Sequence, residues 1–383
     1  MKNRKSIAII TSTDMTVKAF LLGHIRTLAD YYDVTVITNT GTPQFLATMG
    51  MNVQVHHLDI ARSIKPVSDL SSLIRLIRYF HIRRFDVIFS VTPKAGLLSM
   101  FAGLLVRIPL RVHMFTGQVW ATRRGIDRRF LKFFDFLLAF AATHLLADSE
   151  SQRQFLIRET ILADQRCHVL AGGSICGVDA MRFKPDQQSR QKVRGSLAIP
   201  QGATLLLFLG RQNREKGVLD LAHAFAGLGN NSLHLAFVGP DEGGLRAQIA
   251  VICRNHATQL HFIDFTAYPE TFMAAADILC LPSYREGFGS VVIEAAATGI
   301  PAVASRIYGL TDAVEDRVTG ILHEPGNVGD IVRCLSMLID SPERRLAMGH
   351  AARARALRDF PAERVTQALL DYLRLNIETR GTQ

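Results

Sequence analysis

Two carboxylates stand close together in PSYREGFGSVVIEAAATG, residues 282–299. Glu286 lies in a glycine-rich turn and Glu294 beyond a short apolar run. The strand pattern DILCLPS ends at Ser283, so residues 284–289 form a loop at a strand's carboxyl end. Ser290 opens a helix that runs to Gly299, with Pro301 just beyond. Gly287 and Gly289 leave the backbone uncovered. The run Gly287-Phe288-Gly289-Ser290 therefore offers amides to an anion, and the positive end of the helix dipole adds to the attraction. Glu294, one turn in on the face of Ser290, is placed to accept hydrogen bonds from two vicinal hydroxyls, as on a ribose. Glu286 lies on the far side of that phosphate, near whatever the phosphate carries. The bland alternative is a capped helix with one solvated and one incidental glutamate.

A second loop bears on the choice. GRQNREKG, residues 210–217, also follows a strand pattern and opens a helix. Arg211 and Lys216, near its ends, suit a diphosphate gripped from one side, and a leaving group on which charge develops. Alone this is a solvated basic turn, and it is not a Walker A loop, which needs GxxxxGK[ST]. Two such loops from one sheet are harder to attribute to accident.

The elements that must position these residues follow from the apolar pattern. SIAIIT, DVTVITN, VQVHHLD, DVIFSVT, RVHMFTG and HLLADS read as strands, alternating with helical segments. One of these, DLSSLIRLIRYFHIRRF, has apolar residues at Leu70, Leu73, Ile74 and Ile77, and Thr92-Pro93 reads as a helix start. After a glycine-rich boundary in residues 169–186, TLLLFLG, HLAFVGP, LHFIDF, DILCLPS and IPAVAS repeat the alternation. The fold class is α/β: two doubly wound parallel sheets in tandem, facing a cleft, with ligands outside the carboxyl ends of the strands.

Length and charge agree with two domains. The chain has 383 residues and a formal charge of +10, and the excess is confined to the first half. Residues 1–175 carry 22 Lys and Arg against 12 Asp and Glu; the remainder carries 22 of each. A basic half implies an anionic partner: nucleic acid, a phospholipid surface or a phosphorylated substrate. Five cysteines without CxxC spacing read as reduced thiols of a cytosolic protein. The N-terminal apolar run is too short for a signal peptide, and no stretch reaches the roughly 20 apolar residues of a membrane span. FFDFLLAFAATHLLA, residues 133–147, reads as a core helix. Just before and within it, Arg123, Arg124, Arg128, Arg129 and Lys132 stand beside Phe130, Leu131, Phe133 and Phe134. This segment is either a core helix with a solvated basic face or one that lies on anionic lipid.

GRQNREKG, VGP, residues 282–299, and PAVAS followed by GLTDAVEDRVTGILHEPGN resemble retaining glycosyltransferase family 4. TPKAGLL, RVHMFTGQVWATRRG and GGSICGVDAMRF resemble a bacterial branch of it that builds capsule, O-antigen and lipid-linked glycans. The resemblance implies the GT-B fold of two Rossmann-like domains. Residues 1–175 would bind the acceptor, residues 176–360 the nucleotide sugar, and a helix in 361–383 would cross back to the first domain. It implies that Arg211 and Lys216 bind the donor diphosphate, that Glu294 binds the ribose and that Glu286 faces the donor sugar. Gly289 and Ser290 would present amides to the phosphates, with no cofactor and no metal; the chain contains no DxD. Many family members carry a histidine where this chain has Thr116. His113, three residues earlier on the strand, should face the opposite side and reads as a core histidine. On the acceptor side the candidates are Thr116, Lys94, Arg123 and Arg124, with Lys94 placed at a helix start to meet an acceptor phosphate.

The expected activity is transfer of an N-acetylhexosamine from its UDP form, with retained configuration, to a lipid-linked saccharide. The enzyme would be cytoplasmic and peripheral at the inner face of the cell membrane. Three other classes compete. An epimerase acting on UDP-N-acetylglucosamine shares the fold. A nicotinamide oxidoreductase lacks its GxGxxG after the first strand. A nucleic-acid binder would explain the charge but not the two loops, so no nucleic-acid partner is expected.

Overall fold

The computed structural model describes residues 4–60 and 65–381. The chain divides into two compact units, Met1–Cys176 with Ala362–Gln383, and Gly177–Pro361.

In the first unit seven parallel strands, β1 (Ser6–Ile10), β2 (Asp33–Thr38), β3 (Gln54–His57), β4 (Val87–Ser90), β5 (Leu110–Phe115), β6 (His144–Ala147) and β7 (Cys167–Val169), lie in the order β3-β2-β1-β4-β5-β6-β7. In the second unit β8 (Thr204–Leu209), β9 (Leu233–Val238), β10 (Leu260–Ile263), β11 (Ile278–Leu281), β12 (Ala302–Ser305) and β13 (Gly320–His323) lie in the order β10-β9-β8-β11-β12-β13. Central strands such as VIFS in β4 and ILCL in β11 are buried at every position. Helices cover both faces of such a sheet, so the strands read as unbroken apolar runs. Each order reverses direction once, between β1 and β4 and between β8 and β11. Doubly wound sheets bind ligands at these switch points.

The final helix, Ala362–Gly381, packs on the first unit. Its Leu369, Leu370 and Leu373 join Ile25 and Leu28 in one core. Thr366 shares a 2.9 Å hydrogen bond with buried His24, whose other ring nitrogen meets the Ile175 carbonyl at 2.7 Å.

Strand β7, only three residues long, is not among the strands read from the apolar pattern. Two sequence expectations change. The helix Pro66–Arg83 buries Ser72, Leu76 and Phe80, an i, i+4 line; Leu70 and Ile74 of the expected apolar face are exposed. Phe80 fixes that rotation by wedging edge-on against Phe85 at 5.9 Å. The helix Gly125–Ala141 is not simply a core helix. It buries Asp135, Leu138, Ala139 and Ala141 and turns Ile126, Phe130, Phe133, Phe136 and Phe140 outward.

Candidate active site

The two loops singled out by residue type leave β8 and β11, adjacent strands at the switch point of the second sheet. Backbone fit brings them together. Gly217 has φ +67, and a Cβ there would overlap the Pro282 carbonyl oxygen. Only a glycine combines that backbone conformation with that approach. Around this crossing, Tyr284 N–H donates to the Glu215 carbonyl at 2.9 Å. Arg285 pairs with Glu215 at 2.6 Å, and the Tyr284 hydroxyl donates to Asp220 at 2.6 Å. Burial, with Asp220 beside it, pushes the Tyr284 phenol up to about 12, so it stays a donor.

Lys216 and Glu286 meet directly, Nζ to Oε1 2.5 Å, and Ser283 Oγ donates to the same oxygen at 2.8 Å. Both partners are mostly buried, with Glu286 12% exposed. Arg211 does not join this pair: its Nη1 reaches Glu242 Oε2 at 2.9 Å. Glu242 lies in the loop after β9, which is laced to the first loop by Gln212 N–H to the Pro240 carbonyl (2.8 Å) and Gly243 N–H to the Gln212 carbonyl (3.0 Å).

Behind this pair the helix Ser290–Ala297 begins at Gly289, φ +83, with no side-chain cap. A helix start without a cap leaves first-turn amides to be met by something else. The Gly287 backbone presses on Gly309, where a Cβ would overlap the Gly287 carbonyl oxygen. The sequence pattern enlists Phe288 in the donor site through its backbone amide, and its side chain turns the other way. The ring is 2% exposed and packs edge-on against Phe360 at 5.2 Å, so only its backbone can face a ligand. Ser290 is partly exposed at the helix start.

Glu294, partly exposed on that helix, meets no hydrogen-bond donor among the described residues. Burial pushes its carboxyl up to about 7; Arg182 pulls the other way and Glu270 adds to the rise. It is a carboxylate site built without an internal partner, which fits a group that two hydroxyls complete.

The first-unit candidates are differently placed. Thr116 follows β5 and donates to the Val91 carbonyl at 3.3 Å. Lys94 lies in the first turn of the helix Pro93–Leu105, but both Asp69 carboxylate oxygens hold it, at 2.8 and 2.9 Å, so it does not stand there as an unneutralised cation. Arg123 and Arg124 are exposed just before the helix Gly125–Ala141. His113 is buried, bonds Ser90 Oγ at 2.8 Å and is driven down to about 3 by burial, a neutral core imidazole. Gly96 leaves room for its ring.

Sequence reasoning passed over Ser283, Glu242 and Asp220. Ser283 is the last residue of the strand pattern it was read from, and Glu242 follows VGP at the end of another, so strand-end position was the usable signal. Among the described residues no three His, Cys, Asp or Glu side chains gather as a metal site.

Comparison with known proteins bears on the fold and on the two units separately. Residues 189–355 match the family described as glycosyl transferases group 1, and residues 20–173 match the glycosyl transferase 4-like domain. The capsular polysaccharide biosynthesis glycosyltransferase CapM of Staphylococcus aureus is 25% identical over 375 residues, covering 96% of each chain. The UDP-Gal:alpha-D-GlcNAc-diphosphoundecaprenol alpha-1,3-galactosyltransferase of Escherichia coli is 23% identical, covering 73% of each. Anabaena HepE, solved in complex with UDP and glucose, superposes with a TM-score of 0.81 at 18% identity, over 96% of this chain and 99% of that one. The chain is a glycosyltransferase of the GT-B fold, whose second unit matches glycosyl transferases group 1 and whose first matches a glycosyl transferase 4-like domain.

Proposed function

We propose that this glycosyltransferase moves an N-acetylhexosamine from UDP to a lipid-linked saccharide, with retained anomeric configuration, in the synthesis of a bacterial surface polysaccharide. The observation that carries the reading is the composition of one sheet edge: a Lys216–Glu286 pair, an uncapped helix start and a donorless Glu294 at the β8/β11 switch point. The names of the capsular and diphosphoundecaprenol relatives supply the acceptor class, and the UDP complexes of a fold neighbour supply the nucleotide. The second unit would hold the donor and the first the acceptor.

In this reading the diphosphate lies on the amides of Gly289 and Ser290, gripped by Arg211 and Lys216, with the ribose hydroxyls on Glu294. The acceptor oxygen attacks the anomeric carbon on the face from which the diphosphate leaves. The new C–O bond forms as the old one breaks, and the acceptor proton passes to the departing diphosphate oxygen. Lys216 and the helix start stabilise that oxygen where charge develops. Glu286 orients the sugar and balances positive charge on the ring.

The acceptor's lipid would be met at an anionic membrane surface. Among the described residues no helix is long and apolar enough to cross a membrane. The helix Gly125–Ala141 instead offers an outward Ile126, Phe130, Phe133, Phe136 and Phe140 stripe, with exposed Arg123, Arg124 and Arg129 beside it. A basic, aromatic helix face of this kind suits in-plane insertion. A thermal-shift series tests the donor: UDP and UDP-N-acetylhexosamines should raise the melting temperature more than GDP or ADP sugars. No shift with any nucleotide sugar would remove the reading.

A further inference from the structure

Both cations of the proposed diphosphate grip are already occupied by carboxylates. Lys216 holds Glu286, which also accepts from Ser283 and has a place beside the sugar. Arg211 holds Glu242, which the proposed reaction does not use.

The contact is built into the fold. Glu242 sits between two fixed points. On one side Gln212 N–H bonds the Pro240 carbonyl, and Gln212 Nε2 bonds the Gly239 carbonyl at 2.6 Å. On the other, Asp241 accepts from Leu245 and Arg246 N–H at 2.9 and 3.2 Å where the next helix starts. Gly239 can approach Gly210 because a Cβ there would overlap the Gly210 carbonyl oxygen. The loop carrying the glutamate and the loop carrying the arginine are thus held against one another. The ion pair itself remains open to solvent, with Arg211 39% and Glu242 35% exposed.

A guanidinium grips a phosphate best with two parallel N–H groups. Glu242 takes one of them at Nη1. A carboxylate left there beside a bound diphosphate would also repel it. Resting on the donor reading above, we infer that Glu242 is an internal competitor for Arg211. It neutralises the guanidinium while the site holds no diphosphate, gives it up as the nucleotide diphosphate binds, and takes it back as the product diphosphate leaves. Donor affinity is thereby set below what Arg211 alone would give, and release of the product nucleotide is eased.

Calorimetric titration of UDP into wild type, Glu242→Gln, Arg211→Ala and the double variant tests this. Glu242→Gln should bind UDP about two- to fivefold more tightly, the range that separating a part-exposed ion pair commands. Arg211→Ala should bind it more weakly, and adding Glu242→Gln to Arg211→Ala should bring no further gain. Unchanged or weaker UDP binding by Glu242→Gln, with Arg211→Ala still impaired, overturns the competitor and leaves the donor reading standing. A gain that persists without Arg211 also overturns it, since the carboxylate would then act by general repulsion. UDP binding indifferent to Arg211→Ala, or absent from wild type, removes the donor reading and the competitor together.

Discussion

The two units repeat one topology and build opposite chemistry at its switch point. Between β8 and β11 the loops meet through charge: Lys216 on Glu286, Arg285 on Glu215, and glycines that let backbones touch. Between β1 and β4 they meet through hydroxyls: Ser12 Oγ lies 2.6 Å from Thr92 Oγ1, which also accepts from Ser12 N–H at 3.0 Å. The helical turn after β1 is capped by its own Thr13, which accepts from Thr16 N–H at 3.4 Å. The helix after β4, Pro93–Leu105, lacks a side-chain cap as the helix after β11 does, but it opens on Pro93, which has no N–H to offer. An anion site therefore does not come with the doubly wound fold. Among the described residues the second unit's switch point differs in a first turn opened by Gly289 and in Arg211 and Lys216 on the neighbouring loop.

The largest expected effect tests that asymmetry directly. Lys216→Ala, Glu286→Ala and Arg211→Ala should each lower turnover with a UDP sugar by roughly 100-fold or more, as loss of one preorganised charge at a leaving group does. Initial-rate assays with purified variants decide it, and near-normal rates in all three would dissolve the contrast between the switch points.

A smaller effect sharpens the role of Glu294. Its carboxyl titrates at about 7, raised by burial, so it keeps its proton to a higher pH than a solvated glutamate does. Only the ionised form accepts from both ribose hydroxyls. UDP affinity should therefore fall as pH drops from 8 to 6, by about tenfold if only that form binds. The sign is opposite for folding: as pH rises from this group's unfolded pKa, near 4.3, through 7, ionising it costs stability. Titration calorimetry across that range should show the slope in wild type and a flat line in Glu294→Gln. A slope retained in Glu294→Gln would assign the titration to another group.

These contrasts also show what a sequence can carry. The sheets were legible because strands covered on both faces must be apolar throughout, as LLLFL in β8 is. The meeting of the two loops was legible in outline because adjacent strand ends place their loops side by side. What stayed hidden was choice among partners. Nothing in GRQNREKG says that Arg211 turns to Glu242 while Lys216 turns to Glu286; that depends on where the β9 loop lands. Phe288 reads as part of a ligand loop, yet its ring meets Phe360, 72 positions away in the chain. Rotation of a helix is equally a matter of partners: Leu70 and Ile74 fit an apolar stripe, and Ser72, Leu76 and Phe80 are the residues buried.

The same limit divides the basic cluster near Arg123, and it yields the smallest predicted effect. By spacing, five cations could lie on lipid. In the structure Arg128 and Lys132 turn inward, paired with Glu159 at 2.6 and 2.8 Å and lying over Trp120 at 5.3 and 5.7 Å. Partial burial would raise the Glu159 carboxyl, but the hydrogen bonds from Lys132 and Arg128 outweigh it and hold it below its ordinary value. Exposed Arg124 and Arg129 pair with no carboxylate among the described residues and flank the outward phenylalanines. A cation at an anionic surface contributes about 1 kcal/mol. Arg124→Gln should therefore weaken binding to phosphatidylglycerol-containing vesicles by about fivefold, and Arg128→Gln, whose charge is already spent on Glu159, should change it by less than about twofold. Vesicle flotation of the two variants separates a lipid-facing helix from a merely basic one: equal losses would mean that net charge, not the orientation of the helix, governs attachment.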